Sequence, residues 1–408
     1  MDVLFRVRIQ GKECVERTTA ANHLERNQKL MFYVGIDIAK TKHDLACMDE
    51  TGETVITNFR FANSYQGFHQ LKIKLEQLSP ITQDVQIALE STGHYNYNIV
   101  AFLREIGYNV FAYNPFIIKQ FAKSQSLRKT KTDTKYTLLI ARKLRSDVTP
   151  DYYQTDKVMD ELKELTRYQN RLIQSRSKCK NLYIRLLDII FPEINSYVSN
   201  LHSHFVYELL TKYPSAQKIA RARVSSLLKI KRLTADKAHQ IQEIAKQTIG
   251  NTSTVLSLKL VQLIESIKHY DKQINLLMIE LNSPITSIPG IGSRLGAIIL
   301  AEMKTIHNFR NPNQLQAFAG LDPAIYQSGQ MDNTGHMVKR GSSYLRYALI
   351  QAAKLISIYS PHFKAYLKLK ISQGKHYNVA VTLVAKKLIR VIYHLLKTNQ
   401  TFDEAKLR

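Results

Sequence analysis

Apolar and polar positions fall into blocks whose period changes along the chain. Phe32-Tyr33-Val34-Gly35-Ile36-Asp37-Ile38-Ala39-Lys40 opens with an apolar run rich in β-branched and aromatic residues, the pattern of a buried strand, and that run ends in one acid, Asp37. His43-Asp44-Leu45-Ala46-Cys47-Met48 follows, then an Asp49-Glu50-Thr51-Gly52 turn. Residues 54–61 alternate like the partner strand of a hairpin. Residues 67–77 place Phe68, Leu71, Ile73 and Leu75 mostly at helical spacing. Asp84-Val85-Gln86-Ile87-Ala88-Leu89 reads as another strand, ending in Glu90. A helix over 97–106 closed by Gly107, then a strand over 109–113 stopped by Pro115, complete the alternation. A hairpin, a crossover helix and further strands predict a mixed α/β sheet over residues 31–150.

Beyond Pro150 the period becomes helical. Val158, Leu162, Leu165, Leu172, Cys179, Tyr183, Leu186 and Ile190 keep a 3-4 spacing interrupted by Gln169 and Arg176. Leu256, Leu260, Leu263, Ile267, Ile274, Leu277 and Leu281 form a second stripe. Two long helices over 151–282 either fold back as an antiparallel pair within one chain or pair between chains. The breaks and flanking charges favour a coiled-coil seam that dimerises the protein. The basic helical stretch between them, residues 215–247, receives no assignment. From residue 283 a Pro289-Gly290-Ile291-Gly292 turn between apolar helical stretches predicts a helix–hairpin–helix, whose glycines let backbone amides approach a phosphate. An ordinary Gly-rich turn is the alternative. Residues 1–30 are polar apart from Val3-Leu4-Phe5-Arg6-Val7, and read as a disordered N-terminal extension without function, ahead of a natural start at Met31.

Charge narrows the partner. The 408 residues carry 58 Lys and Arg against 33 acids, a net charge of +25, so a polyanion, nucleic acid first, is the expected partner. A membrane surface is the competing one. No apolar run reaches 18 residues and no signal-peptide pattern precedes the first strand, predicting a cytoplasmic, nucleoid-associated protein. Cys14, Cys47 and Cys179 are scattered, which excludes a zinc framework and a disulfide scaffold.

Three acids then stand out. Asp37 and Glu90 close separate strands, and Asp133 is alone among nine Lys and Arg in residues 117–145. Strand-end acids gathered from distant positions supply the oxygen ligands a hard divalent cation requires, Mg²⁺ or Mn²⁺. Turn capping by Asp37 and helix N-capping by Asp133 are the plain alternatives. Arg128, Lys129 and Lys131 in that basic stretch are candidate nucleic-acid contacts, or a solvated face. Farther along, Ser328-Gly329 lies near Lys339, Arg340 and Arg346. A serine hydroxyl attacks a phosphodiester when a base accepts its proton and cations offset the charge on the phosphate oxygens, although most Ser-Gly serines are turn residues. Residues 283–408 hold 17 Lys and Arg against five acids, so phosphate binding is expected throughout that segment.

Taken in order, GIDIAK at 35–40, LESTGHY at 89–95, RKTKTD at 128–133, IPGIG at 288–292, AGLDPAIYQSG at 319–329 and KRGSSYLR at 339–346 resemble the insertion-sequence transposases of the IS-one-ten family, which carry an N-terminal DEDD domain and are related to the Piv-type DNA invertases. The resemblance runs from Met31 to about Ala353. It implies a RuvC-like, RNase H-type domain holding Mg²⁺ through four acids, a dimerising helical linker over 151–282, and a mostly helical transposase domain over 283–408 with a nucleophilic serine. By that match Asp37, Glu90 and Asp133 are three of the acids and Ser328 is the nucleophile, with Ser342 and Ser343 as lesser alternatives. It further implies donor and target DNA, a bridge RNA that selects them, and dimers assembling to a tetramer. One position departs: the fourth acid, expected three residues after Asp133, is Tyr136, a neutral phenol and a poor Mg²⁺ ligand. The rivals are a metal-dependent nuclease of the Holliday-junction-resolvase kind, in which water attacks, and a nucleic-acid-binding copy impaired by the loss of that acid.

Overall fold

The computed structural model describes residues 7–9, 30–90, 95–125, 133–147, 157–277, 279–328, 331–337, 339 and 341–407. Its strands begin with a short β1 (Val7–Ile9), followed by β2 (Phe32–Ile38), β3 (Lys42–Asp49), β4 (Thr54–Ala62), β5 (Val85–Glu90) and β6 (Asn109–Tyr113). The last five form one mixed sheet in the order β4-β3-β2-β5-β6. The meander β2-β3-β4 is antiparallel, while β5 and β6 run parallel to β2. The central strand β2 is bonded on both sides, and helices cover both faces of the sheet, which is why its sequence is a continuous apolar run and not a strict alternation. This sheet lies in a compact unit of residues 15–155.

The sheet's two faces are covered differently. On one, Val34, Ile36, Leu45, Ile87 and Leu89 make a core with Phe68, Leu71 and Leu75 of α1 (Tyr65–Glu76) and with Ile99 and Leu103 of α2 (Asn96–Glu105). Ile73, included in the α1 pattern, is exposed instead. After α3 (Pro115–Gln125), helix α4 (Asp133–Ser146) covers the other face, packing Tyr136, Ile140 and Leu144 against Ala88, Phe111 and Tyr113. Gly35 makes this approach possible. A Cβ there would lie 2.1 Å from the Thr137 carbonyl oxygen and 2.6 Å from the Ala141 nitrogen, both backbone atoms that cannot swing aside. Glycine in the middle of β2 therefore sets how closely the start of α4 sits on the strand that carries Asp37.

The second unit comprises residues 156–408 with 1–14. Helix α5 (Lys157–Ile190) runs antiparallel to α11 (Thr254–Leu276): Gln169 Nε2 donates to the Leu277 carbonyl at 2.9 Å, Arg176 pairs with Asp271, and Asn251 N donates to the Ile189 carbonyl at 2.8 Å. Tyr183, Leu187 and Ile190 meet Leu260, Ile264 and Ile267 in a core completed by α6 (Ile194–Tyr197), α7 (His204–Lys212), α8 (Ala216–Ala220), α9 (Val224–Leu227) and α10 (Ala235–Lys246). Much of both stripes is thus buried within one chain. The two breaks read as features of a seam, Gln169 and Arg176, make intrachain contacts, so a seam between chains is not needed to bury these positions. The second stripe also overshoots. Helix α11 stops at Leu276, and Ile279–Leu281 is instead a strand, β7, paired parallel with β1. Part of the N-terminal extension is therefore ordered, contrary to expectation. Val7 and Ile9 are β-branched residues that suit a short added strand.

A second core of this unit is built by α12 (Ser293–Met303), α13 (Pro312–Phe318), α14 (Ser343–Tyr359), α15 (Pro361–Ser372) and α16 (Tyr377–Thr398). Between α13 and α14 lies a hairpin of β8 (Pro323–Ser328) and β9 (Met331–Met337). The expected helix–hairpin–helix is corrected in its first arm, which is a single 3₁₀ turn, Pro284–Ser287, ahead of α12. Ser283-Pro284 starts the turn, and the Ser287-Ile288-Pro289 stretch, whose Pro disfavours a helical residue before it, ends it. Among the described residues no helix is long and apolar enough to cross a membrane.

Candidate active site

The strand registers assemble a polar row. Asp37 stands opposite Asp44, and Asp44 opposite Arg60. Ile36 pairs with Leu89, so the next residues, Asp37 and Glu90, occupy neighbouring strand ends, and Glu90 pairs with Tyr113. Paired positions share a sheet face. Arg60, Asp44, Asp37, Glu90 and Tyr113 therefore cross all five strands at one end of the sheet, on the face that α4 covers. Glu90 is 6% exposed and Asp44 5%, and Asp44 Oδ1 accepts from Arg60 Nε at 2.8 Å.

Helix α4 completes the arrangement. Tyr136 donates its hydroxyl proton to Glu90 Oε2 in a short hydrogen bond, placing the residue at the departed fourth-acid position against one of the predicted ligands. Asp133 opens the same helix three residues earlier, one turn away on the same face. Asp147, from the end of α4, does not join the row's acids: Tyr113 donates to its Oδ2 at 2.6 Å and Lys143 pairs with its Oδ1. The structure thus brings Asp37 and Glu90 together and leads α4 to them. Among the described residues no three His, Cys, Asp or Glu side chains gather as a metal-ligand group. Arg128, Lys129 and Lys131 lie outside the described residues, as does Arg340.

Sequence-predicted residues of the helical unit fall at β8, α12 and α14. Ser328 is the last residue of β8 and pairs with Met331 across the hairpin. The AGLDP and KRGSS motifs meet: Ser342 N donates to the Phe318 carbonyl at 3.2 Å, and Arg346 Nη1 to the Ala319 carbonyl at 3.2 Å. Lys339 is exposed beside them. Gly290 has φ +91°, and a Cβ there would meet Leu355 Cβ at 2.7 Å, so it packs against α14. Gly292, the N-cap of α12, faces open space.

A buried ion cluster in this unit escapes the sequence reading. Glu302 on α12, 2% exposed, accepts from Arg167 Nε at 2.6 Å and Nη2 at 3.0 Å and from the Ser342 hydroxyl at 2.8 Å, with Lys163 Nζ 4.0 Å away. Arg167 also stacks on the Tyr344 ring, its guanidinium 4.9 Å from the centroid. Burial pushes the Glu302 carboxyl up, but the hydrogen bonds from Arg167 and Ser342 and the Lys163 charge outweigh it and hold the group below the usual carboxylate range. The available signal was an isolated acid inside the apolar run of Ala297-Ile298-Ile299-Leu300-Ala301-Glu302-Met303.

Comparison with known proteins decides the family. Residues 34–192 match a DEDD family model described as a transposase, and residues 282–368 match the model for transposases of the IS116/IS110/IS902 family. The chain belongs to the IS110 family of insertion-sequence transposases. The pilin gene-inverting protein of Moraxella bovis is 24% identical over 378 residues, covering 91% of this transposase and 98% of that protein. A protein encoded by insertion element IS110 of Streptomyces coelicolor is 23% identical over 394 residues, covering 92% and 96%. The transposase for insertion sequence element IS1111A of Coxiella burnetii is 31% identical over 121 residues, 29% of this chain and 33% of that one. The transposase is accordingly a DNA-recombining enzyme. Its first family match contains the whole polar row, and its second contains Ser328 and Glu302.

Proposed function

We propose that this transposase cuts and rejoins DNA through a phosphoserine link, with Ser328 as nucleophile and a divalent cation, Mg²⁺ or Mn²⁺, held by Asp37, Glu90 and Asp133. The observation that carries the reading is the strand register that sets Asp37 and Glu90 side by side at the sheet end where α4 begins. Carboxylate oxygens on adjacent strands are the donors a hard cation takes, and the DEDD family implies divalent-metal use in general. Bound there, the ion would offset negative charge on the scissile phosphate. The protein's own part is nucleophilic. The Ser328 oxygen bonds to phosphorus as one deoxyribose oxygen leaves and takes up a proton, and rejoining reverses this with a hydroxyl of the new strand. Each step forms one phosphoester bond and breaks one, so no nucleotide cofactor is consumed.

Around this chemistry the reading places Lys339 and Arg346, with Arg128, Lys129, Lys131 and Arg340, on nucleic-acid backbone, and the amides after Gly290 and Gly292 toward a phosphate at the start of α12. It assigns a RuvC-like domain to residues 31–150, a dimerising region to 151–282 and the serine domain to 283–408. It also includes selection of donor and target DNA by a bridge RNA, assembly of dimers into a tetramer, and a nucleoid-associated location. Ser328→Ala should abolish a denaturation-resistant protein–DNA species on a gel. An adduct that persists in that variant moves the nucleophile elsewhere.

The Tyr136–Glu90 hydrogen bond favours a second reading, an impaired copy that binds nucleic acid without cutting it efficiently. The phenol engages Glu90 Oε2 and supplies no negative charge to the site. Tyr136→Asp would then raise metal-dependent cleavage by about tenfold or more, the effect of an interaction of roughly 1.4 kcal/mol. Cleavage unchanged by the substitution would set this second reading aside.

A further inference from the structure

The end of the helical unit carries a site that neither the motifs nor the family matches cover. A cavity of about 660 Å³ opens between α15, α16 and the C-terminal segment, and nearly all its lining residues lie beyond residue 368, where the second family match stops. Its rim is cationic: Lys386, Lys387 and Arg390 from two turns of α16, with His394 one turn farther on. The single carboxylate among the lining residues, Asp403, has Lys406 3.9 Å away. Its floor is apolar and aromatic, with Tyr366 and Phe402 facing the same space as Val391 and Leu395.

Two features of this construction bear on the occupant. Lys387 Nζ is 2.6 Å from His362 Nε2 and lies over the Tyr366 ring at 4.9 Å, with Lys370 on that ring at 5.3 Å. The aromatic floor is thereby set within a frame of positive charge. A solvated basic helix face would have no such floor. A duplex backbone, which offers phosphates alone, would leave it unfilled. An unpaired nucleotide has both parts: a base with an apolar face for the aromatic and aliphatic lining, and phosphates on either side for Lys386 and Arg390. Residues 361–408 carry ten Lys and Arg against two acids, so the surrounding potential favours the same partner.

We infer that the α15–α16 cavity binds single-stranded DNA, seating one unpaired base against Phe402 and Val391, beside the lysine-covered Tyr366 ring, with its flanking phosphates on Lys386 and Arg390. Cutting and rejoining DNA exposes unpaired nucleotides, so the established class of reaction supplies the ligand. The site does not depend on which serine acts or which metal is bound.

The test uses the full chain and a 20-nucleotide oligo-dT, with a DNA hairpin of equal charge as competitor. In the unsubstituted protein, an oligo-dT containing 4-thiothymidine should photocrosslink to peptides containing Tyr366 or Phe402. The double variant Lys386→Glu/Arg390→Glu should weaken oligo-dT binding by tenfold or more and reduce the salt slope by about 1.4, the loss of two single-strand phosphate contacts. A charge-matched control away from the cavity, Lys364→Glu/Lys375→Glu, should cost less than threefold. Phe402→Ala should weaken oligo-dT but leave the hairpin unchanged. Equal losses in the two double variants, crosslinks confined to other peptides, or tighter binding of oligo-rU than of oligo-dT would each overturn the assignment. Because binding and crosslinking need no cleavage, loss of the Ser328 reading would leave this result standing, and the converse also holds.

Discussion

Two buried carboxylate clusters, one in each unit, differ in how their charge is balanced. In the helical unit a single acid, Glu302, sits between Arg167 and Lys163 and takes a hydroxyl from Ser342. In the α/β unit the five-residue row itself holds three acids, Asp44, Asp37 and Glu90, and one cation, Arg60, which is committed to Asp44 at 2.8 Å. Like charges in directly opposed strand positions are unfavourable, and acids crowded at a sheet end are tolerated where a cation is supplied to them. A balanced cluster holds elements together; on the proposed reading, the acids of the row serve instead to take a divalent cation. Burial alone would not separate these cases, since Glu302 and Glu90 are 2% and 6% exposed.

The sharpest way to break this comparison is to neutralise each cluster with an isostere. Asp37→Asn and Glu90→Gln should each lower recombination by about a hundredfold to a thousandfold, the range found when one group stabilising a transition-state charge is removed. Thermal stability should stay the same or rise, because a repulsion is relieved. A loss of melting temperature that accounts for the lost activity would make the row structural and end the contrast.

Glu302→Gln should do the opposite. It leaves Arg167 and Lys163 without their carboxylate and should cost about 3 kcal/mol of stability, the scale for removing one partner of a buried pair. Activity per folded molecule should be retained. The pH dependence has a definite sign. Glu302 is held below its unfolded value, so its contribution is fully present above about pH 4.3 and is lost as pH falls through the lowered value. The acid limb of the stability curve should therefore be shallower in Glu302→Gln than in the unsubstituted protein. Identical acid limbs would show that the pair contributes nothing.

What the sequence disclosed follows from range. Strand ends and the Gly107 stop are local patterns, and each was readable because a buried strand or an amphipathic helix leaves its period in consecutive residues. That Asp37 and Glu90 both close strands was legible, but their placement side by side was not, because parallel register between β2 and β5 is set across about fifty residues. Arg60 against Asp44, Tyr113 on Asp147 and Arg167 on Glu302 left no periodic trace at all. The stripes of α5 and α11 show a different limit. A 3-4 apolar spacing is the same whether the partner helix belongs to this chain or to another, so the pattern could report a buried face but not whose face covers it.

The smallest expected effect concerns which serine matters in the helical unit. Ser342 and Ser343 are adjacent, yet their surroundings differ. Ser342 caps α14, its Oγ accepting from Leu345 N at 3.1 Å while donating to Glu302; Ser343 is exposed in the helix's first turn. Ser342→Ala should therefore cost about 1 kcal/mol through the lost cap, and Ser343→Ala less than about 0.5 kcal/mol. Neither should remove a covalent DNA adduct, whereas Ser328→Ala should. Because the cap and the Glu302 cluster share the Ser342 oxygen, Ser342→Ala combined with Glu302→Gln should cost less than the two changes summed. Additive costs would mean that the hydroxyl acts on the helix end alone, and the cluster would then reduce to Glu302 with its two cations.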